Sequence, residues 1–411
     1  MNVSAALDWL FSTQFFGIKL GLDNTRKLLA AAGADRINAT VVHVAGTNGK
    51  GSTCAMIEAL ARAQGYVTGL FTSPHLVDFS ERIRVNGDMI TPDALAEEIS
   101  FLKQLAEGWE QPPTFFELAL AVALRHFRKN SVNFIILETG LGGRLDATNA
   151  VPKDIAVLAP IGLDHQQYLG DTLEEIAAEK AAIIAPGKPS VTAVQHPGVI
   201  AVIERTAQNR RSPLTIARAD RKTPIPSLPG AHQRENAALA LETMRRLHSP
   251  PPPSEAPPTP SEAAAVLARV QWPGRFERLE TPPLVLDGAH NEHAARVLAS
   301  TWKEEFPGRK AALVFAASAD KHIREMIPVL REITGEWHLV PCTSPRIMPA
   351  EEMAALLGEQ ETGPVFIHSS LLDGLQAALA SPLPVLAAGS LFLLGDLKAL
   401  LRHAEKRSTA Q

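Results

Sequence analysis

Lys50 and Ser52 are the pair with the clearest chemistry in this chain. They stand in the run Gly46-Thr47-Asn48-Gly49-Lys50-Gly51-Ser52. A glycine loop between a strand and a helix turns backbone N–H groups toward an anion, and the helix N-terminus adds its positive end. In such a loop Lys50 reaches the β- and γ-phosphates of a nucleotide, and Ser52 offers an oxygen to Mg²⁺. The run departs from the common pattern: Val44 stands where the first glycine is usual, and Gly51 separates the lysine from the hydroxyl. A glycine turn carrying a surface lysine is the plain alternative. The apolar run before it (TVVHVAG) and the helical spacing after it favour a nucleotide.

Three further residues fall at the ends of apolar, strand-length runs. Glu138 closes FIILE, His165 follows IAVLAPI in Leu163-Asp164-His165, and Ser73 follows VTGLF in Phe71-Thr72-Ser73-Pro74-His75-Leu76. The C-terminal edge of a parallel sheet is the usual ligand crevice. A carboxylate, an imidazole and hydroxyls suit Mg²⁺ or Mn²⁺ completed by phosphate oxygens and water. Singly, His165 reads as a hydrogen-bonded structural residue and Glu138 as a helix cap; their joint position beside the loop favours a metal site. Lys180, on the helical stretch 173–184, reads from sequence alone as a surface lysine near a helix end.

Strand patterns at 40–46, 134–138 and 155–161 alternate with helical patterns at 52–64, 115–129, 173–184 and 233–247. Thr172-x-x-Glu175 is a capping box. A second alternation has strand candidates at 284–286, 311–316, 337–341, 364–367 and 384–388. The fold class is α/β: a P-loop NTPase-like parallel-sheet domain followed by a smaller Rossmann-like α/β domain. The boundary is set at 276/277, giving domains 1–276 and 277–411. A short helical segment opens the first, and the Pro/Ser-rich loop 249–261 is read as irregular. The 411 residues exceed the ~250–300 at which one core stops growing.

A net charge of -4 argues against a nucleic-acid partner. No apolar stretch is long enough to span a bilayer, so no membrane partner is expected. Cys54 and Cys342 form no metal or redox motif, which fits small core residues in a reducing cytoplasmic setting.

In order along the chain stand AGTNGKGS, TSPHL, ETGLGGRLDATN, LDH followed by EK, HQ-x-x-N, WPGRFE and DGAHN. From about Trp9 to about Leu397 they strongly resemble the folylpolyglutamate synthase/dihydrofolate synthase family of the Mur ligase superfamily. The resemblance implies an ATP-dependent acid–amino-acid ligase. It would be bifunctional, adding L-glutamate to a dihydropteroate or folate carboxylate through an acyl phosphate. It implies ATP and two Mg²⁺ ions, with K⁺ as a further cation, and small-molecule partners only; a monomer is expected. By the same resemblance 1–276 is the ATP-binding Mur-ligase-type domain and 277–411 the glutamate-ligase domain. Lys50, Glu138, His165, Lys180 and His290 match catalytic positions, with Lys180 at a lysine that is carbamylated in the family. Ser52, Ser73, Glu138, His165 and Lys180 match metal ligands. Gly46, Thr47, Asn48, Gly49, Lys50, Gly51, Ser52, Asn236, Arg275 and Asp287 match ATP contacts. Thr114, Phe116, Asp146 and Ala147 match the pteridine-binding segments. Phe116 reads equally as a stacking partner and as a core aromatic.

Other readings stand beside this one. A cell-wall ligase adding an amino acid to a UDP-sugar peptide would share the loop, but LDATN and TFFE count against it, as do the roughly 40 residues before the loop, too few for a UDP-binding domain. A switch GTPase would carry N-K-x-D, which is absent. A non-catalytic nucleotide-binding relative would be expected to have lost Lys50, Glu138, His165, Lys180, Arg275 or Asp287. The stretch between about Ser212 and Gln233 is short for the family.

Overall fold

A computed structural model describes residues 1–13, 21–247, 259–319, 321, 323–358 and 363–408. It divides into two compact units: Met1–Pro226 with Arg234–Val270, and Ser227–Gln233 with Gln271–Gln411.

In the first unit, β1 (Thr40–Ala45), β2 (Thr68–Phe71), β3 (Ile83–Val85), β4 (Asp88–Met89), β5 (Phe134–Glu138), β6 (Ile155–Leu158), β7 (Ser190–Thr192) and β8 (Leu214–Ile216) form one sheet. Their order is β4-β3-β2-β5-β1-β6-β7-β8. Strands β1, β2, β5 and β6 are buried along their whole length. Continuous apolar runs of this kind belong to parallel strands covered on both faces. Across β2-β5-β1-β6-β7-β8 every pair is parallel; the β2–β3 and β3–β4 pairs are antiparallel. The register sets Val44 of β1 opposite both Glu138 of β5 and Val157 of β6. Three strands therefore end together, and the glycine loop leaves the sheet between two neighbours.

The helices that follow have local causes. Thr114 and Thr172 each open a helix, Phe115–Lys129 and Leu173–Ala181, with a capping box completed by Glu117 and Glu175. Leu118, Leu120, Val122 and Phe127 pack from the first of these helices with Phe71, Ile135 and Leu137 of the sheet. Each such side chain contributes about 1.5–3 kcal/mol by leaving water.

In the second unit, β9 (Glu277–Glu280), β10 (Pro283–Leu286), β11 (Ala311–Phe315), β12 (Thr334–Leu339), β13 (Val365–Ile367) and β14 (Val385–Ala388) order as β13-β12-β11-β14-β10-β9. All pair in parallel except β9 with β10. Trp302, Phe315 and Trp337 fill its core. Among the described residues no helix is long and apolar enough to cross a membrane.

The α/β class stands as expected, with differences in detail. The units part after Val270, and Arg275 goes with the second. Gly288 N donates to Gly274 O at 2.9 Å and Phe276 N to Asp287 Oδ2 at 2.9 Å, which ties WPGRF to the end of β10. Residues 249–258 of the proline-rich stretch lie outside the described residues. Thr259 to Ser261, expected as irregular, instead cap and begin the helix Pro260–Leu267. Proline is tolerated there because a first-turn N–H has no helical partner to lose.

Candidate functional site

The phosphate loop is fastened to β6 before it reaches its helix. Thr47 N and Asn48 N both donate to Pro160 O, at 2.9 and 3.1 Å. Thr47 Oγ1 donates to Gly162 O at 2.9 Å and accepts from Gly162 N at 3.1 Å. Gly49 then turns into the left-handed region, φ 79°, and caps the helix Lys50–Ala63. A Cβ at Gly49 would lie 2.7 Å from Asn236 Oδ1, so the loop and the buried Asn236 approach as closely as glycine allows. Among the described residues Lys50 Nζ donates only to the carbonyl of Thr47, at 3.2 Å.

Ser52 sits in the first turn of that helix. Its Oγ is buried, the residue being 1% exposed, and it makes no hydrogen bond among the described residues. A buried hydroxyl left unpaired costs about 1–3 kcal/mol, so this oxygen suits a ligand. Lys180, whose residue is 5% exposed, is no surface lysine. Its Nζ donates to Gly46 O at 3.0 Å, which brings the helix Leu173–Ala181 against the loop. Burial lowers its amine to about 7, and the charge of Lys50 adds to this; Asp164, Asp146 and Glu179 oppose it.

Glu138 and Ser73 meet at the neighbouring strand ends: Ser73 N donates to Glu138 Oε2 at 3.0 Å, and Glu138 is 4% exposed. The charges of both Glu138 and Lys50 act on buried Cys54, whose thiol is raised chiefly by burial. His165 is half-buried and holds a left-handed backbone, φ 52°, with its N–H on Asp164 Oδ1 at 2.9 Å. A cation fits this set only in part from protein groups. Among the described residues no three His, Cys, Asp or Glu side chains cluster to hold one. Ser52 Oγ, the Glu138 carboxylate and the His165 imidazole are hard or borderline donors suited to Mg²⁺ when phosphate oxygens supply the rest.

The segments matched to a pteridine are built differently from a simple contact surface. Thr114 Oγ1 and N both donate to Glu117 Oε2, at 2.9 and 2.7 Å, so this side chain is engaged in the helix cap. The Phe116 ring lies over Gly140, where a Cβ would come within 2.7 Å of it. Phe116 also packs on Phe71, with ring centroids 5.6 Å apart. Asp146 is buried and accepts from Gly140 N and Leu141 N on one oxygen, at 2.8 and 2.9 Å, and from Thr148 N on the other, at 3.0 Å. Thr148 Oγ1 donates to that second oxygen as well, so it accepts from His43 Nε2 at 2.8 Å. Ala147 is buried at the start of the 3₁₀ turn Ala147–Ala150.

Arg275, Asp287 and His290 gather in the second unit. Asp287 Oδ1 accepts Ala289 N at 2.9 Å, and burial raises its carboxyl while Arg275 opposes the rise. His290 Nδ1 lies 2.8 Å from Gly288 O. Burial lowers the His232 imidazole to about 4, helped by Arg275 and His293.

The sequence reading missed Arg82, Asp164 and His43. Arg82 is buried, and the charge of Glu138 acts on it; its place in the alternating run ERIRV reads as the exposed side of a strand. Asp164 was visible as the middle residue of LDH but drew no role.

Residues 44–222 match the Mur ligase middle domain, and residues 274–392 match the Mur ligase, glutamate ligase domain. A dihydrofolate synthase/folylpolyglutamate synthase of Bacillus subtilis is 34% identical over 426 residues, covering 97% of this chain and 98% of its own. The structure of E. coli FolC in complex with DHPP and ADP superposes with a TM-score of 0.87 at 29% identity, over 98% of this chain and 100% of that one. A Mycobacterium tuberculosis folylpolyglutamate synthase, complexed with ADP and AMPPCP, gives a TM-score of 0.87 at 26% identity over 97% of this chain and 99% of its own. The chain belongs to the dihydrofolate synthase/folylpolyglutamate synthase family, built on Mur ligase domains.

Proposed function

We propose that this protein joins L-glutamate to the carboxylate of dihydropteroate or of a reduced folate, using ATP. The observation that carries the reading is the loop itself. A left-handed Gly49 opens a helix whose first turn holds Lys50 and the unpartnered Ser52 Oγ, beside buried Lys180. The Bacillus subtilis relative, a dihydrofolate synthase/folylpolyglutamate synthase, and the ADP and DHPP held by E. coli FolC support it.

The acceptor carboxylate attacks the γ-phosphorus of ATP, and the bond to the ADP oxygen breaks. The glutamate amine attacks the carbonyl carbon of the acyl phosphate so formed; the C–O bond to phosphate breaks, phosphate leaves with that oxygen and its bonding pair, and the amine loses a proton. Two anions must meet in the first step, which is an electrostatic problem. Lys50 sets a positive charge on the phosphates. The first-turn N–H groups of Lys50–Ala63 point the same way. Ser52, Ser73, Glu138, His165 and Lys180 would hold the Mg²⁺ ions, which supply further charge neutralisation when bound. Lys180, with its amine lowered to about 7, holds a neutral nitrogen that can add CO₂ and become a carbamate ligand. K⁺ would serve as an auxiliary cation. Asn236, Arg275 and Asp287 would contact the nucleotide, and His290 the phosphates or the glutamate. Thr114, Phe116, Asp146 and Ala147 would shape the pteridine site. The phosphate loop and most of the ATP contacts would lie in residues 1–276, and the glutamate site in 277–411.

The test is mass spectrometry of products from dihydropteroate and, separately, tetrahydrofolate, each with ATP, L-glutamate and Mg²⁺. Both acceptors are expected to gain one glutamate with stoichiometric ADP. Extension of only one removes the bifunctional reading, and absence of ADP from both removes the ligase.

A further inference from the structure

Arg82 is 8% exposed, yet it hydrogen-bonds through Nε alone, to His75 Nδ1 at 2.7 Å. Its two Nη groups make no hydrogen bond among the described residues. A buried guanidinium with unmet donors is costly, and the loss is recovered when an acceptor arrives. Nearby carboxylates do not meet the need. Glu81 accepts from Leu76, Val77 and Asp78 N–H groups, and Glu138 Oε2 accepts from Ser73 N.

The surroundings select the chemistry of the missing acceptor. The Phe79 and Phe115 rings flank the guanidinium, with centroids 5.7 and 5.3 Å away. Phe11 stacks on Phe115 at 5.7 Å. Phe79 belongs to the core, whereas the half-buried Phe115 ring gives a flat aryl group a face to lie on, and a planar two-point fork matches a carboxylate. The fork is also held in position. Arg82 O accepts Thr72 N at 3.0 Å, and its Nε holds His75, so Arg82 grips the turn carrying Ser73 from both sides. Ser73, which this turn carries, donates its N–H to Glu138 Oε2 at 3.0 Å, so the turn held by Arg82 also meets the carboxylate proposed to hold Mg²⁺.

We propose that the Nη fork of Arg82 binds the carboxylate of the acceptor substrate, with the half-buried Phe115 ring against its aryl group. This rests on the ligase reading above and adds a residue that sets which acids are accepted.

The test is calorimetric binding of dihydropteroate, and of its counterpart lacking the carboxylate, to the wild type, Arg82→Gln and Arg82→Lys. Melting temperature and ATP affinity are measured alongside. Arg82→Gln is expected to weaken dihydropteroate by at least about thirtyfold while leaving the decarboxylated compound within about twofold. Arg82→Lys keeps the charge between the rings but loses the fork, so about tenfold is expected, with the same contrast between ligands. It carries the comparison if the glutamine variant fails to fold. Equal weakening of both ligands assigns Arg82 a structural role and overturns the subsite, as does no weakening. Dihydropteroate binding by the wild type with an unaffected variant removes the subsite alone. A wild type that binds no dihydropteroate removes the ligase reading with it.

Discussion

Lys180 Nζ donates to the carbonyl oxygen of Gly46 at 3.0 Å, across 134 residues of chain. One buried amine thus joins the helix Leu173–Ala181 to the first glycine of the phosphate loop. The folded amine titrates at about 7, whereas an unfolded lysine holds its proton to about 10.4. Between those values the unfolded chain binds more protons, so this residue's contribution to stability rises with pH across that window. The neutral amine needed for CO₂ addition becomes the major form on the same rise. In CO₂-depleted buffer, bicarbonate is expected to restore activity more strongly at about pH 8 than at about pH 6. Lys180→Ala should remove that response. Carbon NMR with labelled bicarbonate checks it directly, and absence of a carbamate signal at the higher pH counts against the modification.

Replacing Lys50 by Ala should lower kcat by at least about 10³-fold with little change in melting temperature. Among the described residues its side chain hydrogen-bonds only to Thr47 O, so folding loses little. ADP release and a thermal melt measure the two quantities. Near-normal turnover would dismiss the phosphate role.

Ser52→Ala separates chemistry from stability. The hydroxyl is already unpaired and buried, so its removal should leave stability within about 0.5 kcal/mol or raise it slightly. The Mg²⁺ concentration for half-maximal rate should rise at least about tenfold. An unchanged Mg²⁺ requirement would leave Ser52 without the ligand role.

Gly49→Ala should damage the loop twice. A left-handed φ of 79° costs an alanine about 1–2 kcal/mol, and its Cβ would meet Asn236 Oδ1 at 2.7 Å. ATP affinity is expected to fall at least about tenfold. Adding Asn236→Ala should recover the steric part in a melt but not the backbone part. Full recovery would show that φ contributes nothing.

Asp146→Ala should cost about 2–4 kcal/mol in urea unfolding, because the Gly140, Leu141 and Thr148 donors all lose their acceptor. Thr148→Val, which keeps the carboxylate, should cost less. Equal losses would place the stabilisation in Thr148 and His43 instead.

How much of this was legible depends on what each residue's neighbours do. Strands β1, β5 and β6 are buried on both faces, so they read as unbroken apolar runs, and the loop, Glu138 and His165 could be located from them. Strands β7 and β8 have three residues each, and β9 has four with Arg278 and Glu280 exposed and no residue fully buried, so neither length nor pattern marks them. The helix around Lys180 carries three glutamates in nine residues and looks solvated; only the packing against Gly46 reveals that its lysine faces inward. The same holds for Arg82, whose value lies in donors left unmet, a property of three-dimensional surroundings. Asp146 was found for its motif, while its fourfold acceptance of neighbouring donors had no signature in the run LDATN.

The bonds from Thr47 N and Asn48 N to a single backbone oxygen at Pro160 carry a consequence for how this chain can vary. The acceptor is main chain, so no side-chain exchange at position 160 deletes it. A one-residue insertion or deletion between Leu158 and Asp164 would remove it entirely. The loop's tolerance is therefore governed by segment length rather than residue identity. The turn after β6 acts as a ruler, and drift in its length should be rarer than drift in its composition.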